Sequence, residues 1–369
     1  MSSARPPIAE RRLANQRLGG EPFESPVDTV RGLCAVQSQD YSGAKWALGQ
    51  RTRSTTEAEI DRLFDAGAIL RTHVLRPTWH FVLPEDVRWL LELTGPRINR
   101  ALAARHRELG IDRRIVSRSL AAFENALRGG FHLTRSELGE VLSAAGVPPE
   151  GQRLPHLLMG AELDGLVTSG PRRGGQFTYA LLAERAPNAR ILNRTDAMAE
   201  LARRYFCSHG PAQLQDFVWW SGLTVSDARS AIAMAGGALA HQAIDGSGYW
   251  FDAEAGPGHR SPEVVHLLPN YDEYTVGYRD RAAALDPDRV FVPSLFPRGS
   301  ILANIVTVGG RVRGAWRRSR RGRGMRLEVR LLDPLNSSEA AALDAARDRL
   351  STFLGCAIDL RSTLHGVGC

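Results

Sequence analysis

The sequence predicts an α+β protein with two different halves. Residues 1–261 alternate between segments of helical periodicity and short strand pairs, whereas residues 262–369 contain several strands and one closing helix. Within residues 1–261 the same order of elements, helices followed by a two-stranded ribbon, occurs three times without a sequence period. That order is the plan of a winged helix. The sequence therefore predicts three tandem winged-helix motifs followed by a C-terminal α+β domain.

The first winged helix is predicted within residues 1–112. A helical pattern over residues 8–18 stops at two glycines, and Pro26 suits the first position of a second helix. Thr55 or Thr56 is the predicted N-cap of a third helix that extends to residue 64. Residues 70–83 are rich in β-branched and aromatic side chains, which indicates the two-stranded ribbon.

The second and third winged helices are predicted within residues 113–190 and 191–261. In the second, helices are expected over residues 117–127, from Thr134 onward, and over residues 152–163, with Glu137 completing a capping box. Its ribbon, residues 166–181, turns at a stretch rich in proline, glycine and arginine. The third winged helix contains a helix-turn-helix signal before its strand pair. The signal consists of two helices joined by a Ser-Gly-Leu-Thr turn.

The C-terminal domain is predicted over residues 262–369. Its expected elements are a strand at residues 264–268, a β-hairpin at residues 301–316, a strand at residues 325–332 and a helix at residues 337–354. The hairpin is expected to turn at Gly309 and Gly310, since consecutive glycines suit the positive φ angles of tight hairpin turns.

Composition narrows the classes of function. The chain is 43% hydrophobic and 24% charged, with no apolar run near the ~20 residues of a bilayer span and no secretory signal. We therefore expect a cytoplasmic, nucleoid-associated protein that does not contact membranes. Its cysteines form no CxxC pair and its histidines no HExxH pattern, so we expect neither a metal nor a cofactor. The net charge of +7 favours an anionic partner.

The positive charge is concentrated in the predicted hairpin. Residues 311–330 contain nine arginines and a single acidic residue. Such side chains neutralise DNA phosphates, although a solvated or disordered basic loop is the alternative interpretation. The flanking strands favour DNA contact. The predicted DNA-binding residues of the hairpin are Arg311, Arg313, Arg317, Arg318, Arg320, Arg321 and Arg323. Further candidates of the same kind are Arg172 and Arg173 in the second ribbon, and Lys45 and Trp46.

Two glutamines, Gln37 and Gln39, are the candidate catalytic pair. On extended backbone their side chains face the same way, whereas on a helix they would be about 200° apart. A joint role therefore requires that the preceding helix has ended, which Asp40, Ser42 and Gly43 favour. The alternative interpretation is two ordinary polar residues at a helix C-terminus.

Four segments carry a resemblance to a known family. They are the Gln37-Ser38-Gln39 tripeptide, RPTWHFVLPEDVRWL at residues 76–90, LLPNYDEYTVGYRDR at residues 267–281 and GRVRGAWRR at residues 310–318. The sequence resembles the AlkZ-type glycosylases, which unhook interstrand crosslinks made by the antibiotic azinomycin. The resemblance implies three winged helices that form a concave channel, and it implies that Gln37 and Gln39 are catalytic. Relatives with aspartate in the second position have a broader substrate range, so Gln39 points to the crosslink-directed branch.

Amide side chains suffice for this chemistry. A glutamine has no useful pKa and cannot act as a general base, but an N7-alkylated purine is already cationic and leaves as a neutral base. The remaining task is to hold a water and stabilise an oxocarbenium-like sugar, which amide oxygens can do. Strand cleavage would require an amine, and Lys45 is the only lysine, so we expect a monofunctional enzyme.

Three other residues are second choices for catalysis. His80 lies in the first ribbon, where a structural histidine is the alternative interpretation. Asp272 and Glu273 are paired carboxylates that could supply a general base, but Asn270 or Asp272 also stands where a helix N-cap belongs.

The competing function is a winged-helix transcription regulator without catalysis, because fold alone fits both classes. A regulator needs neither the glutamine pair nor the basic hairpin. We therefore favour a monomeric glycosylase that acts on double-stranded DNA with alkylated or crosslinked purines, in DNA repair and antibiotic self-resistance. A crosslinked purine cannot be swung into a closed pocket. Gln37 and Gln39 are accordingly expected on an open, concave, basic surface with residues 311–323 at its rim, and not buried in a core.

Overall fold

The structure is a computed structural model that describes residues 8–255, 265–285, 293–296, 300–322 and 324–365. The N-terminal elements are α1 (Ile8–Asn15), α2 (Pro26–Leu33), β1 (Val36–Gln37), α3 (Tyr41–Arg51), α4 (Glu57–Ala66), β2 (Leu70–Val74) and β3 (Thr78–Val82). Pro26 is the first residue of α2, and the Thr56 side chain caps α4, so both predicted helix starts are confirmed. The strands form a sheet in the order β1-β3-β2, in which the predicted ribbon is the β2–β3 pair.

The next elements are α5 (Val87–Glu108), α6 (Arg113–Leu127), β4 (Leu133–Thr134), α7 (Arg135–Ala144), α8 (Arg153–Leu163), β5 (Val167–Ser169), β6 (Thr178–Leu181) and α9 (Leu182–Arg185). The predicted capping box is confirmed, because the Thr134 side chain accepts from the Glu137 backbone and the Glu137 carboxylate accepts from the Thr134 backbone. Strands β4, β6 and β5 form a second three-stranded sheet. Helix α5 is not predicted from the sequence, because Pro96 lies inside it.

A third set of helices precedes another strand pair. These elements are α10 (Arg194–His209), α11 (Leu214–Ser221), α12 (Val225–Ala235), β7 (Leu239–Ile244) and β8 (Ser247–Asp252). Helix α11 ends at Gly222, whose φ of 70° is left-handed, and α12 begins directly after the Thr224 cap. Three helices followed by a strand pair therefore occur here in the predicted order.

The C-terminal region is built on one five-stranded sheet. Its elements are β9 (Val265–Leu268), α13 (Glu273–Val276), β10 (Ile305–Val308), β11 (Arg311–Arg321), β12 (Gly324–Leu331), α14 (Ser337–Leu354) and β13 (Ile358–Leu364). The strand order is β13-β12-β11-β10-β9, with β13 parallel to β12 and the other pairs antiparallel. Gly309 and Gly310 form the predicted turn with φ angles of 54° and 79°. Residue 264, the predicted start of the first strand, lies outside the described residues.

Two of the hydrophobic cores meet at the glutamine segment. One core packs the β2–β3 ribbon against α5, α10, α11 and α12, and it includes Cys34 and Ala35. The other packs α2, α3 and α4 against the five-stranded sheet and α14, and it includes Leu33 and Val36. Because the residues just before Gln37 belong to both cores, this segment is held from two sides.

The mixed α+β class predicted from the sequence is confirmed. The boundaries of the four predicted domains stay a prediction, and both cores named above contain residues from more than one of those ranges. Among the described residues, no helix has both the length and the apolar character that crossing a bilayer requires.

Candidate active site

Gln37 lies at the end of a short strand that joins the two cores. It is paired with His80 in the antiparallel β1–β3 register, and the next residue donates its backbone N–H to the Trp79 carbonyl at 2.8 Å. Asp40 then caps α3, its carboxylate accepting from the Gly43 N–H at 3.0 Å. Gln37 and Gln39 therefore follow the end of α2 and precede α3, which is the condition that a joint role requires.

The Gln37 side chain is mostly buried, and only one of its two polar atoms has a hydrogen-bond partner. It is 7% exposed, and its Nε2 donates to Thr78 Oγ1 at 3.4 Å. Its Oε1 has no hydrogen-bond partner among the described residues. A buried acceptor without a partner costs free energy because its hydration is not replaced, so such an atom requires an explanation. Gln39, in contrast, is exposed. The expectation that both glutamines lie on an open surface is therefore wrong for Gln37, because the pairing of β1 with β3 draws it into the sheet.

A row of three such polar atoms crosses the sheet at Gln37. His80 is paired with Gln37 on one side and with Thr72 on the other. Residues that are directly opposite in antiparallel strands project from the same face, with Cβ atoms about 4.5–5.5 Å apart. Gln37 Oε1, His80 Nε2 and Thr72 Oγ1 all lack a partner among the described residues. The sheet therefore carries three neighbouring residues with an unpartnered polar atom on one face, and such atoms are typical partners of a buried water.

His80 is a neutral acceptor in this row. Its side chain is fully buried, and burial lowers its pKa to about 3. Its Nδ1 lies 2.9 Å from the Thr78 carbonyl oxygen, which can only accept, so Nδ1 carries the proton. Nε2 is then an acceptor whose lone pair has no partner among the described residues.

Glu273 anchors the glutamine backbone from below. Its fully buried carboxylate accepts from the Gln37 N–H at 2.7 Å and from Trp220 Nε1 at 3.0 Å, and it lies 3.3 Å from His209 Nε2. Burial alone would raise the pKa of this carboxyl, but the hydrogen bond and electrostatic interaction with His209 outweigh it and lower the pKa. Glu273 is thus an ionised anchor for β1.

The arginine hairpin lies against the start of α3. Arg318 Nη2 donates to Ser42 Oγ at 2.5 Å, and Ser42 is three residues after Gln39. Arg317, Arg320 and Arg321 extend further along the same strand and are exposed. The hairpin and the glutamine segment, separated by about 280 residues in sequence, are therefore adjacent in space, so one DNA duplex can contact both.

Comparison with known proteins identifies the family. A family model described as DNA glycosylase AlkZ-like matches residues 30–353. The chain belongs to this AlkZ-like family. It is therefore a DNA glycosylase, and its substrate is DNA.

Two individual proteins are similar to this glycosylase. An interstrand DNA cross-link repair glycosylase of Streptomyces sahachiroi is 23% identical over 320 residues, which cover 83% of this chain and 85% of the relative. The solved structure of the Streptomyces sahachiroi DNA glycosylase AlkZ matches with a TM-score of 0.77 at 21% identity, over 96% of this chain and 98% of that one. This second match shows that the two chains share a fold.

The structure contradicts two predicted DNA contacts of this glycosylase. Trp46 is 3% exposed and donates its Nε1 to the Leu267 carbonyl at 2.8 Å, so it is a core residue. Lys45 is 5% exposed and ion-paired with Glu57 at 3.0 Å and Asp61 at 2.9 Å. The prediction was wrong for both residues because they lie on α3, a helix that was not predicted, which turns their side chains into the protein.

Other predicted basic contacts are already paired within the protein. Arg172 lies between Asp61 and Asp65, at 3.2 and 3.4 Å, and Arg173 is exposed but paired with Glu137 at 2.6 Å. Further ion pairs join the hairpin residues Arg313 to Glu339, Arg317 to Glu328 and Arg321 to Asp359. The pairs of Arg173, Arg317 and Arg321 lie on the surface, where ion pairs contribute little free energy. Arg311 is half-buried, and Arg323 lies outside the described residues.

Neither predicted carboxylate has the place of a general base. Asp272 caps α13, accepting from the Tyr274 N–H at 2.9 Å, and forms a fully buried bidentate pair with Arg51 at 2.6 and 2.9 Å. The N-cap interpretation of Asp272 is confirmed. Glu273 is closed off from solvent by the donors described above, so the general-base alternative is wrong for both residues as they are placed here.

Thr78 supports the site and was not predicted from the sequence. Its hydroxyl holds the Gln37 amide, and its carbonyl fixes the tautomer of His80. Strand alternation places Thr78 on the same face as His80 two residues later, so a signal was present. What was missing is the pairing of β1 with β3, which brings Gln37 to that face.

Proposed function

We propose that this glycosylase hydrolyses the N-glycosidic bond of bulky N7-alkylated purines, including purines in interstrand crosslinks. The observation that carries the proposal is the Gln37 Oε1, which has no partner within the described part of the chain, on a residue that pairs with His80, whose Nε2 also has none. Two acceptors side by side suit a water that donates both of its protons. The exposed Gln39 follows at the edge of this site, next to the hairpin.

In the proposed reaction the bound water attacks C1′ of the damaged nucleotide. The C1′–N9 bond breaks, and its electron pair neutralises the positive charge of the alkylated purine, which leaves as a neutral base. The water proton passes to solvent, and the product is an abasic site. Gln37 and Gln39 direct partial negative charge at the sugar as it becomes cationic, while Thr78 holds the Gln37 amide through its Nε2 and leaves its oxygen free to accept.

The environment of the only lysine supports a monofunctional enzyme. A lyase step needs a neutral amine that can reach C1′ and form a Schiff base. Lys45 is instead buried and ion-paired with Glu57 and Asp61, so its amine is not free to reach C1′. We propose base release without strand cleavage.

We further propose that the three sets of helices and strand pairs are winged helices that form a concave channel for duplex DNA. The boundaries proposed are residues 1–112, 113–190 and 191–261, followed by the C-terminal domain. The exposed arginines Arg317, Arg320 and Arg321 would contact DNA phosphates at the rim of that channel. A monomer suffices, because the glutamine segment and the hairpin come from one chain.

Two arguments support a preference for crosslinks: how the enzyme can reach the sugar of a crosslinked purine, and the name of a related protein. A purine tied covalently to the opposite strand cannot rotate into an enclosed pocket, so the sugar must be reached while the base remains near the stack. The exposed Gln39 suits that requirement. For the buried Gln37, the water held between it and His80 is the group that reaches the sugar. The related Streptomyces sahachiroi protein is named a cross-link repair glycosylase.

The deciding experiment incubates the protein with duplexes that carry one N7-alkylated guanine or one interstrand crosslink. Abasic sites are revealed by hot alkali, and the strands are also run without alkali. Base release with intact strands supports the proposal, whereas strand breaks without alkali would indicate a lyase. Tight binding without any abasic signal would favour the non-catalytic regulator.

A further inference from the structure

Two arginines share one exposed tryptophan beside the glutamine site. Trp219 in α11 is 39% exposed, and its Nε1 donates to the Val276 carbonyl at 3.0 Å, which fixes the plane of the indole. The guanidinium carbons of Arg76 and Arg281 lie over this ring, at 5.3 and 5.5 Å from its centroid. One ring therefore brings two cations together.

The two guanidiniums are charged donors with few partners. Arg76 Nε and Nη2 and Arg281 Nη2 are buried and have no hydrogen-bond partner among the described residues. The remaining Arg281 donors reach main-chain carbonyls, those of Thr275 at 2.9 Å and Arg279 at 3.4 Å. Across the ranges that the structure describes, no carboxylate forms an ion pair with either arginine. Burial lowers the pKa of both side chains. At Arg76 the charge of Glu273 opposes this effect and the charge of Arg281 adds to it, while at Arg281 the charges of Asp216 and Asp280 oppose it.

This arrangement is rigidly connected to the glutamine site. Arg76 lies in the turn between β2 and β3, where the Thr78 N–H donates to the Arg76 carbonyl at 2.7 Å, and Thr78 holds the Gln37 amide. On the other side Gly222 packs on the same turn, since a Cβ there would lie 2.1 Å from the Leu75 oxygen. The end of α11, and with it Trp219, is thereby fixed against Arg76.

We propose that Arg76, Trp219 and Arg281 form a binding site for one phosphodiester of the DNA strand that carries the lesion. Two neighbouring guanidiniums with free N–H groups match the oxygens of a phosphate, which would also neutralise their mutual repulsion. The site differs from the hairpin, because it is half-buried, held in position by Trp219, and located on the ribbon that holds Gln37. It rests on the proposed function only in taking DNA as the source of the phosphate.

The role of such a site is to set the register of the strand. Phosphate contacts carry no base information, but they fix where the sugar lies relative to groups that act on it. A phosphate held at Arg76 would place a neighbouring sugar near the water between Gln37 and His80, without rotation of the base. Positioning of this kind is a large component of catalysis by weak functional groups.

The test is a binding scan on duplexes that contain a tetrahydrofuran abasic analogue, which has no base to release. Single phosphates on both strands around the analogue are replaced in turn by uncharged methylphosphonates. Dissociation constants are measured for the wild type, for Arg76→Gln and for Arg281→Lys. Arg347→Gln is the matched control, because Arg347 in α14 is paired with Asp344 and Asp348 on its own helix.

One methylphosphonate position should weaken binding of the wild type and of the control about ten-fold, and should have almost no effect on Arg76→Gln. On the fully charged duplex, Arg76→Gln should bind about ten-fold more weakly, with a salt slope smaller by about one unit. Arg281→Lys keeps the charge and should retain most of the position-specific effect. Equal losses in the wild type and Arg76→Gln at every position would overturn the proposal.

A folding defect and a lack of catalytic activity can each be distinguished from loss of the phosphate site. Arg76 makes no side-chain hydrogen bond to the described residues, so Arg76→Gln should fold. The wild-type scan itself requires no substitution, and uniform losses along the strand would contradict a single defined phosphate site. Absence of base release from alkylated DNA would refute the proposed function, but would leave the outcome of this binding scan unaffected.

Discussion

Replacement of the two glutamines by alanine gives the sharpest test of the site. Gln37→Ala removes an amide whose only side-chain hydrogen bond among the described residues is a long one, of 3.4 Å, to Thr78. The bond from the Gln37 N–H to Glu273, at 2.7 Å, belongs to the backbone and is retained. We therefore expect a decrease of about 1 kcal/mol in the free energy of unfolding. Gln39→Ala, at an exposed position, should change it by less than about 0.5 kcal/mol.

The effect on catalysis should be larger than the effect on stability. If the Gln37 oxygen accepts from the attacking water, its removal takes one aligned hydrogen bond of about 1–3 kcal/mol from the transition state. This corresponds to a rate about ten to a hundred times slower. The double variant should be at least as slow as the slower single variant, since both oxygens act on one water and one sugar.

The assay is single-turnover release of an N7-alkylated guanine, with enzyme in excess so that product release does not contribute. Binding to the same duplex is measured in parallel and should be nearly unchanged. Gln152→Ala is the matched control, because Gln152 accepts a hydrogen bond from Arg105 on the surface, outside the proposed site. Full activity in the double variant would refute the assignment of the glutamines, and a parallel decrease in binding would point to a structural role.

The remaining predictions concern the hairpin, the lysine and one histidine. The hairpin variant replaces four arginines by glutamine: Arg317, Arg318, Arg320 and Arg321. Binding to any duplex should weaken, and the salt slope should decrease by about one unit for each phosphate that is no longer neutralised; an unchanged slope would mean that the hairpin does not touch DNA. Borohydride should trap no covalent complex with abasic DNA, and trapping through Lys45 would show that the enzyme is a lyase. Acidification from pH 6.5 to 5 should lower the free energy of unfolding by about 2 kcal/mol through His80, because the unfolded side chain takes up a proton near pH 6.5 while the buried one, with a pKa of about 3, does not. Urea unfolding of His80→Asn should show a shallower decline with pH, and an unchanged decline would contradict a neutral buried His80.

Local signals in the sequence predicted much of the secondary structure. Pro26 as a first helical residue, Thr56 and Thr134 as N-caps, and the turn at Gly309 and Gly310 each act through the few residues beside them. Their outcome is set by backbone geometry and by hydrogen bonds over three or four residues, so no distant contact can easily reverse it. Helix α14 has the predicted limits for the same reason.

Other elements depend on contacts that the sequence does not display. Helix α5 continues through Pro96 because its buried face packs in the core with α10 and α11, which outweighs the local cost of a proline. Strand β13 was not predicted, and it pairs in parallel with β12 only after α14 returns the chain to the sheet. Helix α3 was missed as well, and with it the burial of Lys45 and Trp46.

The sequence by itself determined which residues are available for chemistry: the Gln37-Ser38-Gln39 tripeptide, the arginines of the hairpin and a single lysine. Only the tertiary structure decided what surrounds them. Glu273 holds the Gln37 backbone from 236 residues away, and Arg318 contacts Ser42 from 276 residues away. Whether a carboxylate is a base or an anchor depends on its burial and on its donors. These are properties of the packed chain, because residues far apart in sequence create them only when the cores close around β1.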